Sequence, residues 1–339
     1  DFSSVEENSS RRLDPVIPKG LPSDSPLPQQ ELSRVRALDS FNWGYDPFHY
    51  FAPEGSYSVE PAGASRIKEF RELVLSLHRR GLRVVMDVVY NHTFSSGLAK
   101  ESVLDKIVPG YYYRLDSEGN VRNTSCCSDT ASERWMMEKL MQDSLESWRQ
   151  VFGVDGFRFD LMNLHSVGTM ERIRDKLRRQ DSSLLFYGEA WSFGSLLERA
   201  PGEAFTQDKS FGTKIGVFND RIRDAIRGGT TDSKEKSDQG FATGLFYDFN
   251  HEPANRNTPV DLGAQRDKLL YLTDVIRIGM AGNLRNFRFL SFRGENTTGG
   301  SYPYGGGATG LAEEPEETIN YISAHDGYTF FDALQAKLP

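Results

Sequence analysis

The sequence predicts an α/β fold built on a parallel sheet, and three observations lead there. Short apolar runs rich in valine or phenylalanine alternate with stretches of helical periodicity. The runs are nearly continuous, as in strands buried on both faces. Polar residues gather where the runs end: Asp87 and His92, Arg158 and Asp160, Glu189, His325 and Asp326. In a (β/α)8 barrel that end of the strand carries the chemistry, and such a domain often occupies about 250 residues. The 339 residues suffice for one. An open doubly wound sheet is the alternative, with ligands at the same strand ends. No glycine-rich phosphate loop follows a strand, which disfavours a nucleotide-binding version of it.

Residues 1–60 read as irregular, broken by Pro15, Pro18, Pro22, Pro26 and Pro28. Ser65 is placed to cap a helix whose apolar positions Ile67, Phe70, Leu73, Val74 and Leu77 recur at helical spacing, with Gly81 ending it. Leu82 to Tyr90 (LRVVMDVVY) reads as a buried strand. A loop of roughly 40 residues follows, more than a simple connection needs. Thr130 and Glu133 form a capping-box pattern before a helix bearing Met137, Leu140, Met141, Leu145, Trp148 and Phe152 on one face, stopped by Gly153. Val154 to Leu161 (VDGFRFDL) is the next strand. A helix around Met170, Ile173 and Leu177 and a strand from Leu184 to Ala190 (LLFYGEA) follow. Leu269 to Met280 reads as a helix, Thr318 to Ala324 (TINYISA) as a strand, and the glycine-rich Gly299 to Gly310 as a flexible surface loop.

Composition narrows the function. The net charge of −8 argues against a nucleic-acid binder, which needs a basic face. No apolar run is long enough to span a bilayer. Aromatics reach 12%, so some can stack on flat sugar faces while most fill the core. Cys126 and Cys127 are adjacent, which is neither a disulfide framework nor a zinc spacing; a strained vicinal disulfide is the lesser alternative. Asn-x-Ser/Thr matches fall at Asn8, Asn91, Asn123 and Asn296, and the place of Asn91 at an active-site strand end argues against a glycan there.

Three carboxylates stand out: Asp160, Glu189 and Asp326. Glycoside hydrolysis of the common kind needs two carboxyl groups flanking the scissile bond, one ionised and one protonated. Arg158 shares a strand face with Asp160 and is expected to lower its pKa, which suits a nucleophile. Glu189 lies among Phe186, Tyr187, Ala190 and Trp191, an apolar setting expected to raise its pKa, which suits an acid. Any one carboxylate at a strand end is as often a helix cap or half of a salt bridge. The ordered set on successive strands is poorly explained that way. Metal hydrolysis is the rival chemistry: His92 and His325 could bind a metal with Asp87 and Asp326, but no His-x-x-x-His or His-Glu-x-x-His pattern occurs. A serine hydrolase is disfavoured by the absence of a Gly-x-Ser-x-Gly elbow.

Four motifs, Asp87-Val-Val-Tyr-Asn-His92, Gly156-Phe-Arg-Phe-Asp160, Gly188-Glu-Ala-Trp191 and His325-Asp326, resemble in order the signature regions of the alpha-amylase family, glycoside hydrolase family 13. Phe41-Asn-Trp-Gly-Tyr-Asp-Pro47, Pro53-Glu-Gly-Ser-Tyr57, Ser102 to Gly110, Phe218 to Asp224 and Gly279 to Asn283 are similar to its pullulanase and limit dextrinase subgroup. The resemblance implies a (β/α)8 barrel and a retaining hydrolase of alpha-1,6-glucosidic branch linkages in pullulan, amylopectin and limit dextrins. It implies Asp160 as nucleophile, Glu189 as general acid/base and Asp326 as the carboxylate that holds sugar hydroxyls and stabilises the oxocarbenium-like transition state. Arg158 would orient Asp160, with Asp87 as a buried partner positioning Arg158. His92 and His325 would bond the sugar before the cleaved bond, Tyr45 would stack on it with support from Trp43, and Trp191 would line the product side. No cofactor is needed for this chemistry. Structural calcium suits the family, although no ligand set is legible and no metal residue is assigned. The expected partner is a branched alpha-glucan, with neither nucleic acid nor membrane. The compartment is open between a plastid stroma and a secreted or cytoplasmic bacterial setting.

Two positions depart from the subgroup pattern: Ala190 and Gly327 stand where a glycine and an asparagine are usual. The strands correspond to the third, fourth, fifth and seventh of the barrel, with the sixth near Lys214 to Phe218 and Asp1-Phe2 at the exit of the second. The first and eighth strands are not found. The expectation is therefore a partial barrel over residues 1–339, with long loop insertions at about 91–129 and 228–262, from a longer polypeptide. Two other readings remain: a relative acting on alpha-1,4 bonds or transferring glucan chains, and a non-catalytic glucan-binding fragment. The Asn-Trp-Gly-Tyr segment favours the alpha-1,6 reading over the first, and the three carboxylates favour it over the second.

Overall fold

The computed structural model describes residues 15–22, 25–35, 43–60, 63–229, 238–250 and 261–339. Asp1-Phe2 and Asn8 lie outside them. Two compact units divide the chain: Asp1–Val16 with Gln29–Lys209, and Ile17–Pro28 with Ser210–Pro339. A helix α1, Leu27–Val35, interrupts the stretch read as irregular. Pro28 stands in its first turn, where a missing N–H leaves no bond unmade.

The first unit carries three parallel strands in the order β1 (Val85–Val88), β4 (Gly156–Phe159) and β5 (Leu185–Gly188). Asp87 is in register with Arg158, and Arg158 with Tyr187. Each strand is shorter than its apolar run. Before β1 comes helix α2, Ser65–His78. Its N-cap is Ala64 and no side chain caps it, so Ser65 does not play the expected part. Leu73 stays more than half exposed, whereas Phe70 packs edge-on against Trp148 and Phe152.

The 91–129 loop holds local structure: β2 (His92–Thr93) paired with β3 (Ser128–Asp129), and the turn of helix α3 (Leu104–Ile107). Helix α4 (Trp135–Ser147) buries Met137, Met141 and Leu145 and continues through a wider turn, Trp148–Phe152, to the left-handed Gly153. The expected capping box is absent. Thr130 donates its hydroxyl to the Tyr90 carbonyl, and Glu133 is held by the buried Arg114 at 2.8 Å. Helix α5 (Val167–Arg178) buries Met170, Ile173 and Leu177, and Ser166 caps it through the Thr169 N–H at 3.0 Å. Phe157, Phe159 and Phe186 form one aromatic layer on the sheet, with Phe159 and Phe186 stacked at 6.3 Å. Full burial of each such ring is worth about 1.5–3 kcal/mol. Arg158 points to the opposite face, as strand alternation requires. Gly188 permits the close approach of β4 and β5: a Cβ there would lie 2.4 Å from the Phe159 carbonyl oxygen. Helix α6, Ser195–Arg199, follows β5.

In the second unit β6 (Gly216–Asn219) pairs in parallel with β11 (Thr318–Asn320). Helix α7, Asp220–Arg227, is capped by Asn219. Helix α8 runs Leu262–Met280, beginning earlier than its apolar pattern because Asp261 caps it through the Ala264 N–H at 2.8 Å. The antiparallel pairs β7 (Arg288–Leu290) with β8 (Asn296–Thr298), and β9 (Pro303–Tyr304) with β10 (Gly307–Ala308), follow. Ala225, Leu245, Leu272, Val275, Ile278, Phe289 and Tyr302 make its core. The Gly299–Gly310 segment is not a loose surface loop. Gly299 and Gly310 are buried, and a Cβ on Gly310 would meet the Leu284 carbonyl oxygen at 2.7 Å. Helix α9, Phe330–Lys337, closes the described chain. Of residues 228–262, read from the sequence as a loop insertion, 228–229, 238–250 and 261–262 are described, and Leu245 among them joins the core.

Candidate active site

Strand register places the site. Asp87 on β1 and Arg158 on β4 lie side by side on the face opposite the phenylalanines. Asp160 follows β4, its N–H donating to the Val88 carbonyl at 3.0 Å. Glu189 follows β5, its N–H donating to the Phe159 carbonyl at 3.1 Å. Backbone bonds between neighbouring strands therefore fix both carboxylate-bearing residues.

One guanidinium joins the three acids. Arg158 Nη1 meets Asp87 Oδ1 at 2.9 Å and Asp160 Oδ1 at 3.2 Å, and Nη2 meets Glu189 Oε1 at 2.9 Å. The planar fork of arginine suits such sharing, because its N–H vectors diverge in one plane. This corrects two expectations. Glu189 is not in an apolar setting: it is buried, but Arg158 engages one oxygen, and the Leu161 N–H donates to the other at 3.0 Å. Asp160 is held above the usual carboxylate range, not below it. Burial raises it, Arg158 opposes, and the nearby charge of Asp87 adds to the rise. Asp87 does pair with Arg158, but its side chain is 40% exposed, so it is not the buried partner expected.

Leu161 is one of three non-glycine residues with positive φ among the described residues, at +39°. Its left-handed turn directly after Asp160 aims its N–H at Glu189. Strain of this kind persists where the surroundings over-determine it, and it clusters at functional sites.

The Tyr45 hydroxyl donates to Asp87 Oδ2 at 2.5 Å, and Arg158 lies 5.8 Å from the Tyr45 ring centroid. Burial pushes the Tyr45 phenol upward. His92 is buried; Nε2 lies 2.7 Å from the Tyr45 carbonyl oxygen and Nδ1 2.9 Å from Asn91 Nδ2. Burial lowers its pKa, so the ring is neutral. Both ring nitrogens are thus engaged within the protein. Trp43 precedes Tyr45 on the same loop and is 71% exposed. Trp191 is half-buried just beyond Glu189.

His325 and Asp326 belong to the second unit, on the irregular segment after β11. Their side chains approach at 3.7 Å, and that of Asp326 is 75% exposed. Gly327 beside them has φ +74°.

Cys126 and Cys127 are joined in a vicinal disulfide, the lesser of the two alternatives read from the sequence. Cys126 Sγ lies 3.6 Å from His92 Nε2. His92 with the two sulfurs is the one group of three potential metal ligands among the described residues. The disulfide occupies both sulfurs, so the group offers no thiolate.

Asn91 is the residue that sequence reasoning passed over: it stood inside the first motif, and a glycan on it was disfavoured, but no role in the site was assigned to it. It is fully buried, and its amide donates to Asp160 Oδ2 at 3.2 Å. Its place between Asp87 and His92 in the first motif was the available signal.

No family model matches the chain. It is 39% identical to a chloroplastic pullulanase of Arabidopsis thaliana over 98% of its own length and 35% of that protein's. It is 40% identical to a Klebsiella pneumoniae pullulanase over 93% of its length and 28% of the relative's. A crystal structure of a Klebsiella pneumoniae pullulanase in complex with maltotriose superimposes with a TM-score of 0.86 at 39% identity, covering 94% of this chain and 34% of that one. The chain thus spans about a third of the length of these relatives. Among the described residues no helix is long and apolar enough to cross a membrane. In sequence, and in the mixed α/β fold with its parallel strands, the chain belongs to the pullulanase family.

Proposed function

We propose that the protein is a retaining hydrolase of alpha-1,6-glucosidic branch linkages in pullulan, amylopectin and limit dextrins. Asp160 is the nucleophile and Glu189 the general acid/base. The observation that carries this reading is the Arg158 fork, which holds both carboxylates of adjacent strand ends on one side of the sheet. Retention needs two carboxyl groups about 5 Å apart, close enough for one to attack the anomeric carbon while the other protonates the leaving oxygen. Water then enters with Glu189 as base, and the glycosyl–Asp160 ester is hydrolysed.

Asp326 stabilises the oxocarbenium-like transition state, with His325 beside it. Tyr45 and Trp43 provide aromatic faces for the sugar before the cleaved bond, and Trp191 lines the product side. Asp87 acts through Arg158 and Tyr45. We assign His92 to this subsite too, in the first instance by holding the Tyr45 backbone. The parallel strands are read as part of a (β/α)8 barrel. The chemistry requires no cofactor, and structural calcium is compatible with the fold. The partner is a branched alpha-glucan; a net charge of −8 argues against a nucleic-acid partner. A plastid or a bacterial compartment suits relatives from both settings.

Incubation with pullulan tests the reading. Maltotriose as product supports it. Cleavage of linear amylose alone points to an alpha-1,4 enzyme, and binding without turnover to a glucan-binding protein.

A further inference from the structure

Asn91 connects two groups that the proposed mechanism uses, and hydrogen-bond logic fixes its orientation. The Tyr45 carbonyl oxygen can only accept, so His92 must donate to it from Nε2 across 2.7 Å. A neutral ring with Nε2–H leaves Nδ1 as an acceptor. The atom facing Nδ1 at 2.9 Å must then be the Asn91 NH2 group, not its carbonyl. That group has two hydrogens. The second is directed to Asp160 Oδ2 at 3.2 Å, while Arg158 holds Oδ1 of the same carboxylate. The reversed amide would set Oδ1 of Asn91 against an ionised oxygen on one side and a lone pair on the other. The chain of donors therefore runs in one direction only: His92 to Tyr45, Asn91 to His92, Asn91 to Asp160.

We propose that Asn91 is a positioning residue for the reaction: one buried amide sets the His92 tautomer and, together with Arg158, fixes the attack orientation of Asp160. This rests on the reading of Asp160 as nucleophile. Arg158 alone contacts one oxygen and leaves the carboxylate free to swing about it. The second donor removes that rotation, and geometry held near the attack distance is what a nucleophile requires. Glutamine would overreach from a fully buried position, and aspartate is the isosteric change that reverses the donor logic.

The test has a spectroscopic arm independent of activity. The full-length protein is labelled with 15N at histidine, and the His92 ring signals are identified by their loss in His92→Gln. The wild type is expected to show a neutral ring protonated at Nε2. Asn91→Asp is expected to convert it to the doubly protonated form, because the new carboxylate accepts from Nδ1. A wild-type ring protonated at Nδ1, or an unchanged ring in Asn91→Asp, overturns the tautomer assignment whatever the substrate proves to be. The kinetic arm uses a soluble branched dextrin. Asn91→Ala is expected to lower kcat about 100-fold with KM changed by less than about threefold, the mark of an interaction that matters in the transition state. Equal losses in KM, or an unchanged kcat in a variant that melts like the wild type, overturn the positioning role. If the wild type does not cleave the dextrin, the functional reading fails, while the ring signals still decide whether Asn91 sets the tautomer.

Discussion

Asp160 and Glu189 are held very differently from Asp326. The first two have side chains 13% and 8% exposed and share a guanidinium, and backbone N–H groups of their own strands anchor them. Asp326 is 75% exposed, on an irregular segment, with His325 at 3.7 Å. The first arrangement is built by the fold before any ligand arrives. The second relies on a side chain that water still solvates. Burying charged groups against one another makes stability and function interdependent, whereas an exposed carboxylate can be changed with little effect on the fold.

Substitutions can break that comparison, the largest effect first. Glu189→Gln is expected to reduce branched-dextrin cleavage by about 10⁴-fold or more, since proton transfer and re-protonation are both lost. Single-turnover kinetics would check it. Arg158→Met leaves Asp160 and Glu189 buried without their counter-ion, and urea unfolding should show a loss of about 3–5 kcal/mol, as for other broken buried pairs. Asp326→Asn is expected to lower turnover strongly while unfolding stability stays within about 0.5 kcal/mol, as for exposed sites. A large loss of stability there would erase the contrast.

Asp160→Asn sharpens it through pH. Burial raises the Asp160 pKa, so this carboxyl holds its proton more readily in the folded protein than in the unfolded chain. The sign follows: a raised carboxyl pKa contributes stability at low pH and loses it as pH climbs through the folded value. Removing the charge should therefore raise the melting temperature at pH 7 relative to wild type, with the difference vanishing below about pH 3, where the acid is protonated in both states. Gly327→Asn has the smallest effect. Asparagine tolerates the left-handed conformation at φ +74°, so the fold should be unchanged. The added side chain should lower KM for branched dextrin by a few-fold at most, about one hydrogen bond's net contribution. Unchanged kinetics would remove Gly327 from the binding surface.

Much of the framework was legible because it depends on near neighbours in sequence. The Met170, Ile173 and Leu177 face of α5, the stop at Gly153 and four of the parallel strand segments follow from local periodicity and glycine chemistry, whereas β6 was placed only through the family resemblance. The candidate carboxylates were legible through ordered motifs. What failed depended on long-range partners. Glu133 pairs with Arg114, 19 residues away, so it does not complete a capping box. The neighbours of Glu189 in sequence are apolar, but alternation turns Phe186 to the opposite face and Arg158 arrives from the adjacent strand. Adjacency in the chain misjudged the electrostatics for that reason. Asn91 was passed over because its partner Asp160 lies 69 residues away in sequence.

The sharing of one arginine among three acids also bears on which ligands the cluster favours. When Asp87, Asp160 and Glu189 are all ionised, Arg158 balances one of three negative charges. Such an excess of carboxylates over arginine among the described residues favours cationic ligands. Sugar mimics bearing a basic ring nitrogen should be drawn in as cations, and their binding should weaken as added salt screens the field. Neutral sugar lactams of the same shape should bind with little dependence on ionic strength.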